Sequence, residues 1–122
     1  MGDGRISVID VAAKKVIATI DAGARAPNRL KFTTDGKLAL VSEIGGGGLV
    51  VVDTTTRSVA KRLPLGHGAS GILIPPGGTR AYVALTGDNA IAVIDLTTLT
   101  EIGRLNTGSG PDGMAWLAVS SR

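Results

Sequence analysis

Three aspartates, Asp10, Asp53 and Asp95, each close an apolar run, and they stand 43 and 42 residues apart. The runs are Ile6-Ser7-Val8-Ile9, Val50-Val51-Val52 and Ile91-Ala92-Val93-Ile94. Ten residues after each aspartate comes Ile20, Leu63 or Leu105, and thirteen after each comes Gly23, Gly66 or Gly108. A second block, Pro27-Asn28-Arg29-Leu30-Lys31-Phe32, recurs at residues 69–74 and 111–116, each step being 42. The single extra residue of the first interval therefore falls in the loop between Gly23 and Pro27, where a length change disturbs no ladder. A period in this range implies one supersecondary unit per repeat, stacked on its neighbours to bury a shared core.

Each unit holds four short extended runs separated by turn residues, which predicts an all-β fold of four-stranded antiparallel blades, labelled a to d from the centre outward. In the last complete unit these are residues 71–74, 79–85, 90–95 and 101–105. The c runs are apolar at consecutive positions instead of alternating, as a strand covered on both faces requires. The d runs, such as Val59-Ala60-Lys61-Arg62-Leu63, mix in charge, as an exposed edge needs in order to resist sheet addition.

Arg80-Ala81-Tyr82-Val83-Ala84, followed by Asn89-Ala90-Ile91-Ala92-Val93-Ile94-Asp95, Thr97-Thr98, Gly108 and Pro111, resembles the YVTN family β-propeller repeat. The resemblance covers nearly the whole chain. It implies a propeller scaffold whose relatives include surface-layer proteins, lactonases, amine dehydrogenase subunits and haem-binding domains of nitrite reductases. Family members are often periplasmic or extracellular. In the family a turn like Pro-Asp-Gly would follow Trp116, whereas Leu117-Ala118-Val119-Ser120-Ser121-Arg122 stands here.

The repeat divides the chain into c and d strands of a split blade (2–23), a full blade (24–66), a second full blade (67–108) and the innermost strand of a further blade (109–122). That is eleven strands, about 2.75 blades, where closed propellers have roughly four to eight. An arc of this size ends in two apolar faces that require cover. Self-association through blade faces and terminal strands is one expectation, with the segment from Gly113 completing a blade from another copy's first hairpin. A piece of a longer propeller is the second, and a partly disordered arc the third.

Three aromatics, Phe32, Tyr82 and Trp116, and 13 basic against 10 acidic residues without a charge block argue against a nucleic-acid partner. No apolar stretch is long enough to span a bilayer, and the first residues lack the pattern of a signal peptide. Without cysteine, disulfides and thiolate metal sites are excluded, and no compartment is legible.

The d-to-a loops and b-to-c turns should share one end of the blades, forming a channel mouth that gathers Arg25, Asn28, Glu43, His67, Asp88, Asn89 and Asp112. This is the default ligand face. Arg29 and Lys31 place charge on one innermost strand, where the other units have Gly71 and Leu73, or Gly113 and Ala115. His67 is the only histidine, and with Asp112 it makes the one candidate metal pair, without the spacing that marks a metal site. The repeated aspartates are read as turn formers that accept backbone N–H bonds. Gly45-Gly46-Gly47-Gly48 precedes a strand instead of a helix and lacks the lysine of a phosphate loop, so a flexible hairpin turn is expected. No serine sits in a nucleophile elbow. The propeller resemblance thus implies a non-enzymatic scaffold, without cofactor, that binds a protein, peptide or glycan over the mouth. The alternative is a fragment of a propeller enzyme similar to lactonase-type hydrolases or haem and redox propellers.

Overall fold

The computed structural model describes residues 4–118. Its strands are β1 (Arg5–Asp10), β2 (Lys15–Asp21), β3 (Pro27–Phe32), β4 (Leu38–Glu43), β5 (Gly48–Asp53), β6 (Ser58–Pro64), β7 (Ala69–Leu73), β8 (Arg80–Leu85), β9 (Ala90–Asp95) and β10 (Thr100–Asn106). They form a β1-β2 hairpin and two four-stranded antiparallel sheets, ordered β3-β4-β5-β6 and β7-β8-β9-β10. Every sheet neighbour is a sequence neighbour, so each sheet is a meander closed by tight turns.

The sheets pack face to face, which explains the continuous apolar runs. On β5, Leu49 and Val51 face the third sheet with Leu40, Ile72, Val83 and Ile94. Val50 and Val52 point the other way and meet Ile20, Ala39 and Val41 below the first hairpin. Successive side chains on a strand point to opposite faces, so only a sheet sandwiched between two others needs both sets apolar. On β1 burial alternates instead: Ile6 and Val8 pack inward, while Ile9 on the open face is 60% exposed. Each fully buried leucine or valine stabilises the stack by roughly 1.5–3 kcal/mol relative to an exposed one.

The outer pairs share a distortion. The register of β1-β2, β5-β6 and β9-β10 shifts so that Ile17, Ala60 and Ile102 are unpaired, and these three positions are separated by the repeat period. A bulge at the same place in each unit strengthens the local twist. The blades are also clamped by arginines one repeat apart. Arg62 donates to the Ala22 carbonyl of the preceding unit, and Arg104 Nη2 donates to the Leu65 carbonyl at 2.6 Å.

Two expectations change. The innermost strand expected from Gly113 belongs to no sheet over its described residues, 113–118. A strand is held by its ladder, and none of the described strands pairs with this segment. The segment instead lies beside Leu73 and Tyr82, with Trp116 still 54% exposed. The four-glycine run is also held rather than loose. The Gly47 carbonyl accepts from Leu65 and Gly66 at 3.1 and 2.8 Å. Gly47 has φ +68°, and a side chain there would overlap the Gly66 carbonyl.

Candidate functional site: the channel mouth

The two ends of the blades differ in what the turns carry. At one end, Asp53 Oδ1 accepts from the Thr55 and Thr56 amides at 2.8 and 3.0 Å, and Asp95 Oδ1 from Thr97 and Thr98 at 2.7 and 3.3 Å. Asp10 does the same for Ala13 at 3.0 Å. The repeated carboxylates are thus turn formers, each followed by a left-handed residue, Lys14, Arg57 or Leu99.

The other end is the mouth, where the d-to-a loops touch the b-to-c turns. The Ala24 amide donates to the Gly4 carbonyl, Ile44 to Ala26, and Thr107 to Asn89. In the second blade, Glu43 ends β4 and is 9% exposed, and its Oε2 accepts the Arg25 amide at 2.6 Å. In the third, Asp88 lies in a short 3-10 turn, Thr86–Asp88. Its Oδ2 accepts the His67 amide at 2.8 Å, and its Oδ1 meets His67 Nδ1 at 2.8 Å. Arg25 and His67 occupy the same repeat position, so one device recurs: a turn carboxylate latches the loop amide that precedes the innermost strand. The third loop uses a neutral version, in which Asn89 Oδ1 accepts the Gly110 amide at 3.0 Å.

The latch shapes the electrostatics. The bonds from the His67 ring and amide hold the Asp88 carboxyl below the usual aspartate range, helped by Arg104, whose Nη1 lies 3.9 Å away. Arg104 also forks onto Glu101 at 2.8 and 3.0 Å, which raises its own pKa. With Nδ1 facing Asp88, the His67 ring turns Nε2 outward, and its side chain is 84% exposed.

A separate group lies at the start of β3. Arg29 Nη1 donates to Asn28 Oδ1 at 2.8 Å, and Nη2 is 3.9 Å from Asp112 Oδ2. The mouth therefore assembles as three clusters: Arg25 with Glu43, His67 with Asp88 and Arg104, and Asn28 with Arg29 and Asp112. His67 and Asp112, paired in the sequence reading, are engaged with different partners. Among the described residues no group of three or more His, Cys, Asp or Glu side chains is placed to hold a metal ion. The sequence reading missed Arg104, Ser70 and Thr86. Ser70 Oγ and Thr86 Oγ1 lie 2.8 Å apart, and Thr86 donates to the Pro111 carbonyl at 2.7 Å. The arginine could have been found from its 42-residue spacing to Arg62, whereas no repeat column flags the hydroxyl pair.

This stack, two four-stranded blades and the hairpin of a third, is that of an incomplete β-propeller. The chain matches hydrazine synthase from Kuenenia stuttgartiensis with a TM-score of 0.85 at 29% identity, covering 90% of this chain and 32% of that one. It matches the dihydro-heme d1 dehydrogenase NirN, solved in complex with DHE, with a TM-score of 0.77 at 25% identity, covering 91% and 25%. Apo AztD from Citrobacter koseri gives 0.74 at 17% identity, covering 92% and 31%, which shows the fold alone. The chain thus spans between a quarter and a third of the length of these propeller proteins. Neither a family model nor a curated protein sequence matches it.

Proposed function

We propose that this chain is a YVTN-type propeller scaffold, non-enzymatic, which binds a protein, peptide or glycan over its channel mouth and completes a ring by association of copies. The observation that carries this reading is the use to which the mouth spends its charge. Glu43 and Asp88 are committed to backbone amides of adjacent loops, and Asp112 is paired with Arg29. Such groups stiffen a rim and leave amide, imidazole and guanidinium donors outward, which suits recognition of a surface. Ring completion is supported by the apolar ends of the arc, where Ile9, Val16, Trp116 and Leu117 are more than half exposed.

The competing reading is a fragment of a propeller enzyme, favoured by the likeness to hydrazine synthase and to a dihydro-heme d1 dehydrogenase. Metal and haem analysis of the purified protein separates the two. The scaffold reading expects no stoichiometric calcium, zinc, iron or haem. It also expects glycan or peptide ligands to shift the amide resonances of residues 23–28, 65–68 and 107–112. A stoichiometric metal that is lost on His67→Ala would move the assignment to an enzyme.

A further inference from the structure

One acid–base pair at the mouth is kept apart by the fold. Arg29 Nη1 donates to the main-chain and side-chain oxygens of Asn28 at 3.3 and 2.8 Å, which orients the guanidinium. Its Nη2 then stands 3.9 Å from Asp112 Oδ2, with both side chains 53% exposed. A full charge-assisted bond closes to about 2.7–2.9 Å, so Nη2 still has protons to give. Asp112 is held in place by the third blade. Asn89 takes the Thr107 and Gly110 amides on its two oxygens at 2.9 and 3.0 Å, and Thr86 Oγ1 donates to the Pro111 carbonyl at 2.7 Å. The Asp112 carbonyl fills the space that Gly71 leaves, since a side chain at that position would overlap it. Arg25 lies four residues before Arg29 and has its amide latched by Glu43. Arg25 is exposed, and among the described residues its guanidinium has no hydrogen-bond or ion-pair partner.

We propose that Arg25 and Arg29 form a receptor for the carboxylates of an acidic peptide segment, with Asp112 as the weak internal counter-ion that the ligand displaces from Arg29. The inference rests on the scaffold reading and names its ligand. An arginine fork suits a carboxylate because its N–H groups match the two oxygens. The pair that gives way is half-exposed, and exposed ion pairs hold weakly. At most about 14 Å of extended chain joins the two arginines, so the ligand needs acidic residues within about four positions of each other. A peptide fits better than an acidic glycan. Sugar rings present C–H faces that bind well on aromatic rings, and all three aromatics lie off the mouth. Phe32 pairs with Ala39 at the far end of the β3-β4 ladder, and Tyr82 and Trp116 sit together beside Leu73. His67, at the position of Arg25 in the next unit, faces Asp88 through Nδ1. With that proton given to the carboxylate, Nε2 is an acceptor for a main-chain N–H of the same peptide.

End-blocked hexaglutamate, titrated into the whole chain by isothermal calorimetry, tests the site, with hexaglutamine and an oligogalacturonate of equal charge as controls. The expected result is saturable binding with a Kd of about 0.1 mM or tighter, weakened several-fold between about 0.05 and 0.5 M salt, with neither control matching it. Arg29→Gln and Arg25→Gln should each weaken it at least about tenfold. Asp112→Asn should instead tighten it about twofold or more, because it removes the competing charge and leaves the bonds that pin its loop. All three residues are exposed, so the variants keep the fold, as circular dichroism would verify. Binding that ignores the arginines, that Asp112→Asn leaves unchanged or weakens, or that hexaglutamine or the galacturonate matches would overturn the inference and leave the scaffold reading in place. Failure of acidic, neutral and glycan probes alike to bind at millimolar concentration would take down both.

Discussion

Ala26 adopts φ +50° where the other repeats place Gly68 at +70° and Gly110 at +63°. A side chain in the left-handed region costs roughly 1–2 kcal/mol, and glycine gives back about half of that through its unfolded-state entropy. Ala26→Gly should therefore raise stability by about 0.5–1 kcal/mol in a denaturant titration, and a loss would mean that the Ala26 backbone is not left-handed. Asp95 serves two amides of its turn. Asp95→Ala should cost about 1 kcal/mol in the same measurement, the usual net worth of such bonds. Asp88 has the opposite interest, since its role depends on charge. Its carboxyl titrates below the ordinary aspartate range because of the His67 ring and amide. Its stabilising contribution is then fully present above the unfolded value and lost as the pH falls through the folded one. Asp88→Asn should flatten the acid limb of melting temperature against pH below about pH 5, and an unchanged limb would contradict the latch.

At the scale of elements, position in the stack decides what a side chain is worth. Leu40 is fully buried between two blades, and Leu40→Ala should cost about 2–5 kcal/mol. Ile9, on the uncovered face of β1, should change stability by no more than about 0.5 kcal/mol when cut to alanine. The strands, their order in each blade and their double burial were legible in the sequence, because a 42-residue period aligns Val50-Val51-Val52 with Ala92-Val93-Ile94 without ambiguity. The latch was not. Glu43 and Asp88 stand 45 residues apart, since Glu43 is the last residue of β4 whereas Asp88 lies in the turn past the end of β8, and a strict repeat alignment never lays one over the other. The pairing of Arg29 with Asp112 was hidden for another reason: it joins a side chain of β3 to a loop aspartate two units on, and only the three-dimensional stacking brings them near. The strand from Gly113 was over-read, because its apolar pattern fits the repeat while the ladder that would order it needs a partner. Pattern alone records what a segment suits; pairing requires a second strand.

For the whole molecule, the arc has a well-packed middle and two ends that differ in kind. One end is the β1-β2 hairpin with an open ladder edge and an apolar groove. The other is the third blade with Met114, Ala115 and Trp116 lying beside Tyr82. In the proposed ring these two ends would make heterologous contacts, which close when the rotation per copy fits. Between them the mouth is a rim of latched loops in which Glu43, Asp88 and Asp112 are engaged. The account stands or falls on whether the ends meet. Native mass spectrometry and light scattering at micromolar concentration measure this directly: association of copies predicts a closed species of at least two 12.3 kDa chains, dissociated by Trp116→Asp. A single 12.3 kDa species across that concentration range would contradict it.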